Sequence, residues 1–157
     1  MPESPVRKVL IYRLGSLGDT VVALPCFHLI ERTFPAAERV LLTNFPVHAK
    51  APPAAAVLGE SGLVHGYMRY TVGTRHVGQL LKLAWQIRRF KPDVLVYVMP
   101  ARPLASVRRD RLFLRLAGVR RFVGLPGVEE LEHQDGLEDG HLEPEASRLA
   151  RALAELG

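Results

Sequence analysis

A single cysteine, Cys26, in 157 residues leaves no partner for a disulfide within the chain. None is needed, since a domain of this length buries about two thirds of the surface its unfolded chain exposes. No stretch approaches the ~18 consecutive apolar residues of a membrane-spanning helix. The opening MPESPVRKVLIYRLG lacks the apolar core and small-residue cleavage site of a secretory leader. Aromatic residues are sparse at 7%, which counts against the stacking platforms of single-strand nucleic-acid binders. The six histidines show no spacing, with one another or with Cys26, that suits a zinc site. The expectation is one cytoplasmic domain without a metal or a cofactor of its own.

Acidic residues are scarce as well, but only in part of the chain. Residues 1–128 hold 19 Lys/Arg against 7 Asp/Glu, a balance of +12, whereas residues 129–157 hold 2 against 9, a balance of −7. The acidic end reads as a solvated connection. A body this basic calls for an anionic ligand, an anionic membrane surface, nucleic acid, or nothing beyond solubility.

Short hydrophobic runs alternate with longer periodic ones. Residues 9–12, 39–43, 63–70, 93–98 and 121–124 read as strands. Helices are expected over 19–34, 77–90, 104–117 and 145–156. Residues 46–58, with Pro52-Pro53, are expected to be helical only in part. Pro25 falls inside the first helix, which therefore either kinks or begins there. In the second, Val77, Leu80, Leu81, Ala84, Ile87 and Phe90 form the expected core stripe, with Trp85 in the core or at its rim. Gly118 caps the third. This rhythm specifies an α/β fold, a Rossmann-like parallel sheet with helices on both faces. Its ligands belong at the carboxyl ends of the strands, where strand order reverses.

The first strand runs into Arg13-Leu14-Gly15-Ser16-Leu17-Gly18-Asp19-Thr20. Gly15 and Gly18 permit a tight turn and close approach of backbone N–H groups to a ligand. The Walker A ending and the three-glycine dinucleotide fingerprint are both missing. Asp19 suits two roles at such a turn: an N-cap or first-turn residue favoured by the helix dipole, or a carboxylate that takes a proton from a hydroxyl nucleophile.

Taken as a whole, KVLIYRLGSLGDTVVALPCFHLIERTFPAA resembles the opening of glycosyltransferase family nine, the ADP-heptose:lipopolysaccharide heptosyltransferases. The likeness rests on a hydrophobic strand, a basic residue, Gly15-Ser16-Leu17-Gly18-Asp19, Leu24-Pro25, and a helix ending at Phe34-Pro35. It continues more loosely through Lys91-Pro92-Asp93-Val94-Leu95 and Leu116-Ala117-Gly118-Val119-Arg120-Arg121 to Gly124. The resemblance implies the N-terminal half of a glycosyltransferase B fold, in which residues 1–128 form the acceptor-side domain. Residues 129–157 would then be an acidic loop and terminal helix leading to an absent donor-binding domain, without which the chain would turn over little. It also implies that Asp19 is the general base of an inverting, metal-free transfer, with Gly15, Ser16, Leu17 and Gly18 forming the loop near the donor.

The donor would be ADP-heptose or a similar nucleotide-sugar. The acceptor would be a phosphorylated glycolipid met at the inner membrane, where the protein would sit peripherally, with no specific nucleic acid. Arg13, Arg69, Arg102 and Arg108 would serve an acceptor's phosphates or carboxylates, because guanidinium groups pair with such anions. Arg13 faces either an anion or only its own loop. Arg108, with Arg111 and Arg115, makes a basic stripe that is either a binding surface or a solvated face. One departure is the rigid turn Met99-Pro100-Ala101-Arg102-Pro103, where many family members carry a more polar one. Two other functions remain open: a non-catalytic binding module for anionic polymers, and a stand-alone nucleotide-binding domain.

Overall fold

Runs rich in Val, Leu and Ile, too short for helices, become strands buried on both faces. A computed structural model of the chain describes residues 5–13, 17–44, 58, 61–70, 77–98 and 104–124. Among them are five strands: β1 (Lys8–Tyr12), β2 (Glu38–Asn44), β3 (Gly66–Tyr70), β4 (Val94–Tyr97) and β5 (Phe122–Val123). They form one sheet in the order β3-β2-β1-β4-β5, with every neighbouring pair parallel. Ile11 of β1 aligns with Leu41 of β2 on one side and with Val96 of β4 on the other. All four residues of β4 are buried, as a central parallel strand requires. The parallel α/β sheet expected from the alternating runs is the fold observed.

Helix α1 (Leu17–Thr33) covers one face of the sheet. Its Ala23, Phe27 and Ile30 pack with Val9, Ile11, Leu41, Val94 and Val96, and Cys26 lies buried among them. Pro25 neither begins nor ends this helix, which starts eight residues earlier. The missing proline N–H strands the carbonyl of Val21, a residue half exposed, so water can satisfy it.

Helices α2 (Val77–Phe90) and α3 (Leu104–Leu116) cover the other face. There Leu83, Ile87, Leu114 and Ala117 close over Leu10, Tyr12, Leu42, Leu95 and Tyr97. The α2 core stripe differs from the expected one. Leu83 is buried, while Val77, Leu81 and Trp85 are each more than half exposed. Residues two apart stand about 200° apart around a helix, so Leu81 and Leu83 cannot both face the sheet. Burial of Leu83 and Ile87 turns Leu81 outward.

The amino edge of the sheet is fastened by two charged residues. Asp93 Oδ2 accepts from the backbone N–H groups of Arg7 (2.8 Å) and Lys8 (2.9 Å), joining β1 to the start of β4. Arg39, second in β2, is buried, and its guanidinium donates to carbonyls of two flanking turns.

The end of α3 confirms Gly118 as its cap. Val119 N–H donates to the Leu114 carbonyl and Gly118 N–H to that of Arg115, both at 3.0 Å, with Gly118 at φ +102°. A Cβ at Gly118 would meet Arg88 Cγ at 3.4 Å. Gly118→Ala is expected to cost about 1–2 kcal/mol, lowering the melting temperature by roughly 2–8 °C in a circular-dichroism melt. The boundary at 128/129, the acidic end, residues 46–57 and the helix expected at 145–156 lie outside the described residues.

Candidate functional site

Strand order reverses beside β1. The chain runs from β1 outward through β2 to β3, then returns to place β4 against the free side of β1. In a parallel sheet the crevice outside the carboxyl ends of two such strands is where ligands bind. β1 ends at Tyr12 and α1 begins at Leu17, so only residues 13–16 make the turn. β4 ends at Tyr97 and α3 begins at Leu104. Two helices therefore start at this edge, each directing the positive end of its dipole toward it.

Arg13 is fixed beneath the turn. It is only 2% exposed, and its Nη1 donates to the Val98 carbonyl at 2.8 Å. Its backbone N–H donates to the Leu42 carbonyl at 3.1 Å, and Val98 N–H donates to the Tyr12 carbonyl at 3.0 Å. The ends of β1, β2 and β4 are thus tied through one residue. This nitrogen thus bonds the end of β4 rather than the loop that follows β1. The buried charge still raises the potential at the edge, because a cation away from water is screened less.

Leu17, Gly18 and Asp19 are the first three residues of α1, in the first turn above the end of β1. Gly15, Ser16 and Arg102 lie outside the described residues. Arg69 is the fourth residue of β3, aligned with Thr43 of β2. That strand is two positions from β1, about 10 Å away across the sheet. Arg108 is the fifth residue of α3 and exposed. The structure therefore gathers Arg13, Leu17, Gly18 and Asp19 at one strand end and places Arg69 on β3, beyond β2, and Arg108 on α3.

One pair at this edge escapes a reading of the sequence. Tyr97 Oη donates to Asp110 Oδ2 at 3.0 Å, a buried contact that joins the end of β4 to α3. The Tyr97 ring lies 5.5 Å from that of Tyr12, tilted by 43°. Asp110 stands on the inward stripe Val107, Asp110, Leu114 and Ala117, and it is the one acidic residue of α3. A lone acid on an apolar stripe demands a buried donor, and that was the legible clue. Elsewhere, Tyr67 Oη on β3 is buried with no hydrogen-bond partner among the described residues, and burial pushes its pKa up. No group of His, Cys, Asp and Glu among the described residues could hold a metal ion. No helix among them is long and apolar enough to cross a membrane.

These features define a class: a Rossmann-like α/β domain of five parallel strands whose order reverses between β1 and β4. Two solved glycosyltransferases share this fold. A glycosyl transferase family 9 protein from Veillonella parvula superposes with a TM-score of 0.66 at 13% identity, covering 99% of this chain and 43% of that one. The E. coli heptosyltransferase WaaC, solved with ADP-2-deoxy-2-fluoro heptose, gives 0.59 at 14% identity, covering 94% of this chain and 47% of that one. The chain has a family-nine, heptosyltransferase-like fold and spans less than half the length of either structure. No family model and no curated protein matches the sequence.

Proposed function

We propose that the chain is the acceptor-side domain of an inverting glycosyltransferase. In this reading it moves a heptose or similar sugar from a nucleotide-sugar, with ADP-heptose the favoured donor, to a hydroxyl of an anionic saccharide of the lipopolysaccharide-core type. It works in the cytoplasm, where such donors are found, against an acceptor carried on the inner membrane. The observation that carries the reading is the start of α1, where the backbone of Leu17, Gly18 and Asp19 follows the end of β1. This helix start lies at the carboxyl end of β1, beside the point where strand order reverses.

In the proposed step, the acceptor hydroxyl oxygen attacks the anomeric carbon as the Asp19 carboxylate takes its proton. The bond from that carbon to the donor's diphosphate breaks on the opposite side, and the diphosphate leaves with the electron pair. Configuration at the carbon inverts. The positive ends of α1 and α3 and the buried charge of Arg13 favour anions at this edge. Arg102, Arg69 and Arg108 are proposed to hold the acceptor's phosphates or carboxylates. By itself the 157-residue chain is proposed to turn over little.

The test follows nucleoside diphosphate release from ADP-heptose by the chain joined to a donor-binding half. Release that requires a phosphorylated glycolipid, with sugar found on that lipid, supports the reading. Release at the same rate without acceptor, or transfer with retained configuration, rejects it.

A further inference from the structure

Three buried side chains form a row across the carboxyl end of the sheet. Tyr12 and Tyr97 are register partners at the ends of β1 and β4, with ring centroids 5.5 Å apart. Tyr97 Oη then donates to Asp110 of α3 at 3.0 Å. All three residues are buried. Because α1 covers one face of the sheet and α3 the other, the spacing between the starts of these helices is set through the strand ends. The row therefore runs from the strand that leads into Asp19 to the helix that carries Arg108.

An apolar residue at position 110 would complete the stripe of Val107, Leu114 and Ala117. A carboxylate there is taken out of water, at a cost in free energy that apolar packing would not carry. What it adds is direction. Apolar contacts are non-directional and tolerate small rotations of a helix, whereas a hydrogen bond weakens steeply as its angle closes. Arg108 precedes Asp110 by two residues, about 200° round the helix and about 3 Å along it. Holding Asp110 against Tyr97 thus fixes where Arg108 leaves α3.

We propose that the Tyr12–Tyr97–Asp110 row sets the separation between Asp19 and Arg108, and so selects acceptors by the distance from the attacking hydroxyl to the anionic group. The acceptor class is then a saccharide whose phosphate or carboxylate lies at one spacing from the reacting oxygen, since a rigid site holds only one such geometry well. Tyr97 and Asp110 are positioning residues, buried out of a ligand's reach. The inference rests on the proposed transferase reading for the tasks of Asp19 and Arg108.

The probes are two disaccharide monophosphates that differ only in which ring carries the phosphate, titrated calorimetrically into the 157-residue chain. One isomer should bind about tenfold more tightly than the other, the worth of one charge-assisted hydrogen bond. Tyr97→Phe keeps the ring beside Tyr12 and removes only the donor. It should weaken the favoured isomer alone and narrow the preference to about twofold. A merely structural loss would weaken both isomers alike. Arg108→Gln, an exposed substitution that disturbs no buried group, should remove the preference too, so the proposal stays open to refutation even if Y97F does not fold. With a donor-binding half joined, Y97F should raise the KM for the favoured acceptor about fivefold while kcat stays within about twofold. No binding, equal binding of both isomers, or a preference that survives Y97F or R108Q overturns the proposal. A preference that responds to both substitutions in a joined protein that transfers no sugar rejects the transferase reading and leaves the selection by spacing standing.

Discussion

Asp19→Asn should lower sugar transfer by about a hundredfold or more, the usual worth of a general base. On the proposed function, the measurement uses this chain joined to a donor-binding half. Asparagine keeps the shape of the side chain, but it cannot take the acceptor's proton. The loss should appear equally in kcat and in kcat/KM for the acceptor, because the proton moves only as the transition state is reached. Acceptor binding to the 157-residue chain should therefore stay within about twofold of its original strength.

The competing role for Asp19 makes an opposite forecast. As the third residue of α1 it sits where the helix dipole favours negative charge. Were that its whole function, the asparagine variant would lose up to about 1 kcal/mol of stability and keep its rate. A near-normal turnover with a small drop in melting temperature would remove Asp19 from the chemistry. The two readings differ in which number moves, so one pair of measurements separates them.

Much of this site could be placed from the sequence because the constraints on it are local. A run such as Val94-Leu95-Val96-Tyr97 is too short to bury itself as a helix, and a glycine turn after the first strand falls at the carboxyl edge by topology. Gly118 marked a helix end because its left-handed φ disfavours other residues. What was misread depends on contacts far apart in the chain. Periodicity in α2 gives the spacing of an apolar stripe but not its rotation about the axis, and Leu80, Leu81 and Leu83 offer competing stripes. The sheet selects the one with Leu83 and Ile87, leaving Leu81 and Trp85 outside. The Tyr97–Asp110 contact bridges a strand and the following helix, and nothing in either segment alone specifies the other. Arg39 was hidden for the same reason. At a strand start it resembles a surface charge, and its partners lie on turns before and after it.

Those partners make Arg39 the position where one substitution should cost the fold most. Nε donates to the Leu63 carbonyl at 2.8 Å, and Nη2 donates to that of Gly62 at 2.9 Å. Nη1 serves Phe34 (2.9 Å), Ala37 (3.3 Å) and Pro35 (3.4 Å). One guanidinium thus closes the turn leaving α1 onto the turn that enters β3, while the Arg39 backbone N–H donates to His65 Nδ1 at 2.9 Å. Methionine matches the length and apolar stem of arginine but supplies no donor. The Leu63 and Ala37 carbonyls are bonded in buried contacts, so each would be left unsatisfied at about 1–3 kcal/mol. The other three are nearer to solvent and can turn to water. Arg39→Met should therefore cost about 3 kcal/mol, a large share of the 5–15 kcal/mol typical of a whole domain. It should appear as a lower urea midpoint with an unchanged slope. Lysine should recover only part of this, since its single ammonium cannot span both turns. Because Arg39 lies at the amino edge of β2 and the candidate site at the carboxyl edge of β1, the molecules that remain folded should bind acceptor with unchanged affinity. A loss below about 1 kcal/mol would mean that water reaches all five carbonyls once the guanidinium is gone, leaving the two turns to be held by the packing of Leu63 and Ala37 alone.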